Sequence, residues 1–441
     1  MIREARTSPG VPGTVAVAPS RQMSSTDQLL AGTRIGVGLG PLDLPSPGEL
    51  RNAFVRIAAG GHPARLGLAL AGEGSWQELG VRIGDRCDEV VRVVPESVRD
   101  PRDWLREHWV PDLPVQLGIA GDRLGLMMDH RLGDGVLASV LPLALIDLAR
   151  GRPLASAFNG LIERPLRAAL ASTLGPRPGA WLALVDDYRR HRSVPTPPAA
   201  AASRHLAVPS TCHLTVVIEP DQLARLRVWC RGRIAIGPAL ALLAGAGMRA
   251  AGLPVRDTGE LVVDLRRYLP RGANTLANFI AGMELPLAGP GSRPADVHAR
   301  VGRSLLVGRP LVAAAIGSAR GRLAGAGPDI LRPASPRRGR PSPEARPAPD
   351  ARISMSSLGR LRAFEKLPWS VPPAQRWMDA YTEPAASGTL GVIAIAMDGR
   401  LTLSLTWRGE EFDRATVAAG AALIAADPVA LLDGMVDGAD A

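Results

Sequence analysis

Two hydrophobic periods alternate along this chain. In residues 34–39, Ile35, Val37 and Leu39 alternate with small or polar neighbours, the period-two pattern of a half-buried strand. Shortly after, Leu50, Phe54 and Ile57 fall at helical spacing with Arg51 and Arg56 on the other side. The same reading predicts strands at 66–70, 90–94, 114–119 and 122–128, and helices at 100–110, 136–149 and 180–190. The pattern restarts with a strand at 213–218, helices at 220–226 and from 237, and a strand at 260–266. It ends with a helix at 296–306, strands at 352–356, 388–397 and 401–407, and a helix at 413–426. Strands and helices alternate in both halves, which predicts an α/β protein of two lobes, each a mixed sheet flanked by helices.

Breaks in the pattern suggest the boundaries. Residues 1–33 are rich in Pro, Gly, Ser and Thr and read as a mobile tail. The first lobe then spans 34–192, and the Pro/Ala/Ser-rich stretch 193–206 reads as a linker. A second lobe covers 207–441, interrupted at 328–351 by a Pro/Arg/Ser-rich segment expected to be a disordered insert.

Charge and cysteine content narrow the function classes. The chain of 441 residues carries a net charge of +10, and all of its 52 cationic side chains except Lys366 are arginines. They are spread out without aromatic interleaving, so nucleic-acid binding is not expected; attraction of an anionic cofactor or an acidic carrier protein is compatible with them. Cys87, Cys212 and Cys230 form no CxxC pair, which argues against a disulfide framework or a zinc ribbon and suits a reducing cytoplasm. The N-terminus lacks the order of a signal peptide. The most apolar run, 236–248, is too short for a transmembrane segment and reads as a buried helix.

The candidate chemistry lies where one strand ends and one helix begins, at Asp129-His130-Arg131-Leu132-Gly133-Asp134-Gly135. Asp134, ahead of an apolar helix, is a natural N-cap. Gly133 disfavours one helix carrying both His130 and Asp134, so a metal-binding i, i+4 pair is not expected. Asp129 should point away from His130 if the strand continues through it. A strand-end histidine is also an ordinary structural residue, and these residues alone leave its role open. There is no GxSxG elbow and no Walker A loop. His62, His108, His191, His205, His213 and His298 are scattered and read as surface or packing residues.

His130-x-x-x-Asp134-Gly135 resembles the active-site motif of the chloramphenicol acetyltransferase-like superfamily. That group includes nonribosomal peptide condensation domains, plant-type alcohol acyltransferases, wax ester synthases and polyketide-associated acyltransferases. Val263-Asp264-Leu265-Arg266 with Pro270 is similar to its strand that ends in arginine. Leu276-Ala277-Asn278-Phe279 is similar to its Gly-Asn-Phe stretch, and Ser356-Ser357-Leu358-Gly359 to a short segment of its second lobe. The pieces follow the family's order. Asp129 stands where condensation domains carry a first histidine, Ala277 where glycine is usual, and the plant branch's Asp-Phe-Gly-Trp-Gly is absent.

The resemblance implies two chloramphenicol acetyltransferase-like lobes with an active-site channel between them. It further implies an acyltransferase that moves an acyl group from a CoA thioester to a hydroxyl or amine, with His130 as general base. Asp134 would pair with Arg266 and hold the loop that aims His130, Gly135 would let the backbone approach closely, and Asn278 would support the channel wall. No resident cofactor or metal is implied; acyl-CoA or acyl-phosphopantetheine is the co-substrate. The alternatives are a condensation-like domain served by an acyl carrier protein, and a degenerate relative that binds an acyl thioester or a partner protein without turnover.

Overall fold

The computed structural model describes residues 19–72, 74–175, 178–190, 211–289, 291–326 and 350–437. Fourteen strands form three sheets among these residues: β1 (Ser20–Gln22), β2 (Arg34–Gly40), β3 (Leu68–Leu70), β4 (Ser75–Glu78), β5 (Val91–Val93), β6 (Val115–Ala120), β7 (Arg123–Asp129), β8 (Thr211–Ile218), β9 (Thr258–Asp264), β10 (Ile280–Pro286), β11 (Arg352–Arg360), β12 (Trp377–Thr382), β13 (Thr389–Met397) and β14 (Arg400–Arg408). The first large sheet runs β12-β2-β7-β6-β5 and the second β10-β9-β11-β13-β14-β8; β1-β4-β3 is a small third sheet. Both large sheets are mixed, with parallel pairs β5·β6, β9·β11 and β11·β13.

Each lobe has its own core, and one strand serves both. Val392, Ala394 and Ala396 of β13 sit in the second lobe's core. Ile393 and Ile395, on the opposite face, join the first lobe's core with Leu126, Leu137 and Leu141. The period-two alternation of a strand buried on both sides thus joins the lobes. The Ile236–Ala250 helix is buried from Pro238 to Met248, as an all-apolar helix must be. Among the described residues no single helix is long and apolar enough to cross a membrane. The Arg414–Ala426 helix and the one after it meet that test only as a pair bent by 99°.

Three boundaries differ from the sequence reading. The expected tail contains regular structure: β1 pairs with β4, and a Ser25–Leu29 helix buries Asp27. The stretch 207–441 does not all belong to one lobe. β12 leaves the second lobe and pairs with β2, from Trp377↔Gly40 to Thr382↔Ile35, as the edge of the first sheet. Its sequence, Trp-Met-Asp-Ala-Tyr-Thr, places an aspartate inside a strand, which local propensity disfavours. The expected insert ends early, because Ala351 is fully buried and bridges Val255. The rest of that segment, apart from Asp350, and the whole expected linker lie outside the described residues.

Asp379 of β12 is tolerated because it has buried partners. Its carboxylate contacts the Arg102 guanidinium and accepts a 2.8 Å bond from Thr215 of β8, and His213 Nε2 lies 3.3 Å away. Burial works against the Arg102 charge, but Asp379 and Asp100 hold its pKa above the ordinary value. Burial also pushes His213 below the ordinary imidazole value; Asp379 and Asp100 oppose this, while Arg102 and Arg106 add to it. The sign follows by linkage: the unfolded chain takes up this proton near pH 6.5 and the folded chain resists it, so stability falls as pH drops below about 6.5. The contribution of one such group is at most about 1.4 kcal/mol per pH unit. Urea unfolding from neutral pH downwards should show a shallower acid loss for His213→Asn than for the parent. Equal slopes would remove His213 from the acid response.

Candidate active site at the lobe junction

β2 and β7 run antiparallel with Arg34 opposite Asp129, so β2 begins where β7 ends. His130 follows β7 directly, and its backbone N–H donates to Thr33 O at 2.9 Å. A short turn, Leu132 N–H to Asp129 O, leads into the Gly135–Ala149 helix. Asp134 caps that helix, accepting from Val136 N–H at 3.0 Å. From the second lobe, the segment between β9 and β10 leans over this corner. It carries Arg266, Thr275, Ala277, Asn278 and Phe279.

Two polar clusters tie the corner together. In the first, Arg266 donates through Nη1 and Nη2 to the two Asp134 oxygens at 2.9 and 3.1 Å. Asp134 is 1% exposed and also accepts from Phe279 N–H at 2.9 Å, so its carboxylate is saturated by donors from both lobes. Arg266 spends its remaining donors on Thr275 O, Ala277 O and Asp264. Burial opposes the guanidinium charge, yet Asp134 and Asp264 hold the Arg266 pKa above its ordinary value. The ion pair expected from the sequence is made across the junction.

The second cluster holds the imidazole. His130 is 6% exposed, and its Nδ1 lies 3.1 Å from Asn278 Oδ1. Asn278 Nδ2 donates to Asp27 Oδ1 at 2.9 Å, to His130 O at 2.7 Å and more weakly to Arg131 O at 3.3 Å. All three partners can only accept, so the amide orientation is fixed and Oδ1 must face the ring. An acceptor facing Nδ1 requires Nδ1–H. The neutral imidazole therefore carries its lone pair on Nε2.

Sequence reasoning missed Asp27 and Arg65. Asp27 is 2% exposed and pairs through its other oxygen with Arg65 Nη2 at 3.1 Å. Arg65 is 4% exposed, donates to Leu132 O and Arg131 O at 2.6 and 2.9 Å, and has a positive φ of 69°. A local signal for Asp27 existed: Ser24-x-x-Asp27 ahead of Leu29-Leu30 is a capping pattern, and Ser24 Oγ does accept from Asp27 N–H. The Arg65 side chain carried no such signal.

A search against family models finds no match, and neither does a search of curated proteins. Solved structures do match. The trichothecene 15-O-acetyltransferase of Fusarium sporotrichioides superposes with a TM-score of 0.54 at 11% identity, covering 93% of this chain and 96% of that one. The first condensation domain of the calcium-dependent antibiotic synthetase gives 0.56 at 15% identity, with 95% and 99% covered. The starter condensation domain of rhizomide synthetase, in complex with C8-CoA and Leu-SNAC, gives 0.55 at 11% identity, with 94% and 96% covered. The chain has the two-lobed chloramphenicol acetyltransferase-like fold.

Within this chloramphenicol acetyltransferase-like fold, the expected site residues His130, Asp134, Gly135, Arg266 and Asn278 all meet at the junction, with one change of role. The close backbone approach belongs to Gly133: a Cβ there would lie 2.6 Å from Leu276 O and 2.7 Å from the Leu137 side chain. At Gly135 the nearest atom would be the tip of Leu358 at 3.1 Å, which can give way. Asp129 turns from the ring and takes the Arg131 guanidinium at 2.7 and 2.9 Å. The expected channel does not correspond to either of two surface cavities. One, of about 490 Å³, is lined by Arg56, Leu148 and Arg152; the other, of about 260 Å³, by Tyr188, Glu260 and Arg300. His130 is in neither wall.

Proposed function

We propose that this protein is an acyltransferase that moves an acyl group from a thioester to a hydroxyl or amine, with His130 as general base. The observation that carries this reading is the imidazole held between the lobes with Nδ1 facing Asn278 Oδ1, an arrangement that favours Nε2 as the basic nitrogen. Nε2 takes the acceptor's O–H or N–H proton as that atom attacks the thioester carbonyl. The tetrahedral adduct then collapses, the C–S bond breaks, and the leaving thiolate takes the proton back from the imidazolium. Imidazole suits both transfers because it ordinarily titrates near neutral pH. No covalent enzyme intermediate is needed. The Asp134–Arg266 pair touches no reacting atom; it fixes the loop that carries the ring.

Support for the acyl-transfer class comes from the structural neighbours, one of which is an O-acetyltransferase and another a condensation domain bound to an acyl-CoA. Acyl-CoA is the donor we expect first, in a reducing cytoplasm that suits three free cysteines. A phosphopantetheine arm on an acidic carrier protein is the second reading, favoured by the condensation-domain neighbours and the net charge of +10.

The test is release of free CoA from a panel of acyl-CoAs in the presence of alcohol and amine acceptors. One acyl group should then be compared on CoA and on a carrier protein across a salt series. We expect turnover from CoA with a weak salt dependence. Faster turnover from the carrier, lost as salt screens docking, would establish the condensation-like reading. Binding without turnover on either donor would leave a non-catalytic relative.

A further inference from the structure

We infer that Asp27 is a positioning residue that sets the tautomer of His130 through the Asn278 amide; its relevance to catalysis rests on the general-base reading above. Four buried groups form one directed chain: Arg65 Nη2 to Asp27 Oδ2, Asn278 Nδ2 to Asp27 Oδ1, and His130 Nδ1 to Asn278 Oδ1. Direction is the point. Asn278 alone could face the ring with either end, since an amide carries an acceptor and a donor of nearly equal shape. The carboxylate of Asp27 removes the choice, because it offers only acceptors and Arg65 secures its other oxygen. The backbone oxygens of His130 and Arg131 pull the same way, but among the described residues Asp27 is the only charged group bonded to the amide, and charge-assisted bonds are the stronger ones.

Asp27 comes from a five-residue helix ahead of β2, and Arg65 from the segment between the Pro47–Ala58 helix and β3. The tautomer of the histidine that follows β7 is therefore set by a residue that precedes β2. Asparagine at position 27 would be frustrated at this site. With its oxygen toward Asn278, its NH₂ meets the Arg65 guanidinium. Turned round, its NH₂ meets Asn278 Nδ2 and favours a flip that presents a donor to His130 Nδ1. All of these groups are buried, so water cannot supply the missing partner. A donor at Nδ1 moves the proton to Nε2 and removes the base.

The test is ring-nitrogen NMR on the full chain with ¹⁵N-labelled histidine, the His130 signals being assigned by their loss in His130→Gln. In the parent, neutral His130 should be the Nδ1–H tautomer. In Asp27→Asn it should shift toward Nε2–H, and kcat should fall on the order of 10²-fold with KM little changed, the pattern of a wrongly held tautomer. Asn278→Ala, which cuts the chain without touching Asp27, should lose the tautomer preference as well. It takes the place of the first variant if that one does not fold. An Nε2–H tautomer in the parent overturns the inference, as does an unchanged tautomer in a folded variant. If the tautomer behaves as expected but no thioester donor is turned over by the parent, the inference stands and the general-base reading fails.

Discussion

His130→Ala is expected to lower turnover by about two to four orders of magnitude, the usual contribution of a general base. The loss should fall on kcat, because in the proposed mechanism the imidazole acts on a proton that moves only during attack on the thioester. KM for the donor should stay near the parent value. The fold should survive at a modest cost. Among the described residues the ring makes one side-chain hydrogen bond, to Asn278 Oδ1, and leaving that buried acceptor unpaired costs about 1–3 kcal/mol. Steady-state kinetics with the best donor and acceptor pair, alongside a thermal melt, would check both parts. Turnover within a few fold of the parent would sink the assignment of His130 as base.

A large effect on stability is expected from Asp134→Ala. The carboxylate binds the Arg266 guanidinium twice, caps the Gly135–Ala149 helix through Val136 N–H, and receives Phe279 N–H from the second lobe. Its removal leaves a guanidinium at the junction with, among the described residues, only backbone carbonyls and the half-exposed Asp264 for partners. Breaking such a buried pair costs about 3–5 kcal/mol. Chemical denaturation should register the loss as a lower midpoint with an unchanged slope. A loss below about 1 kcal/mol, the range of exposed pairs, would mean that the junction does not depend on this contact. Because Asp134 touches no reacting atom in the proposed mechanism, the folded fraction of the variant should lose activity only as far as the His130 loop is displaced.

The residues of the site differ in how legible they were. His130, Asp134 and Gly135 lie in one short stretch, and a strand-then-helix reading places them at a strand end and a helix start without any coordinates. Arg266 and Asn278 were reachable because they sit at the end of a strand and before the next one, in an order that resembles a known family. Asp27 was read as part of a tail. Its neighbourhood of Pro, Gly, Ser and Thr gives no hydrophobic period, and what buries it is a guanidinium and an amide from distant segments. Gly135 was given the close approach that belongs to Gly133, because local sequence cannot say which carbonyl of the other lobe will press on which Cα.

What the sequence determined by itself is the alternation of strands and helices, the buried helix over the apolar run 236–248, and the junction of strand and helix at His130. These depend on periodicity, capping and propensity, which act over a few residues. Only the tertiary structure decided that β12 crosses to the first sheet and that β13 is buried on both faces. Only it decided that Asp27, Arg65 and Asn278 converge on one imidazole. Those outcomes depend on which unpaired strand edge and which buried charge meet across hundreds of residues. A carboxylate that is costly inside strand β12 or a tail becomes tolerable when an arginine from elsewhere is buried against it.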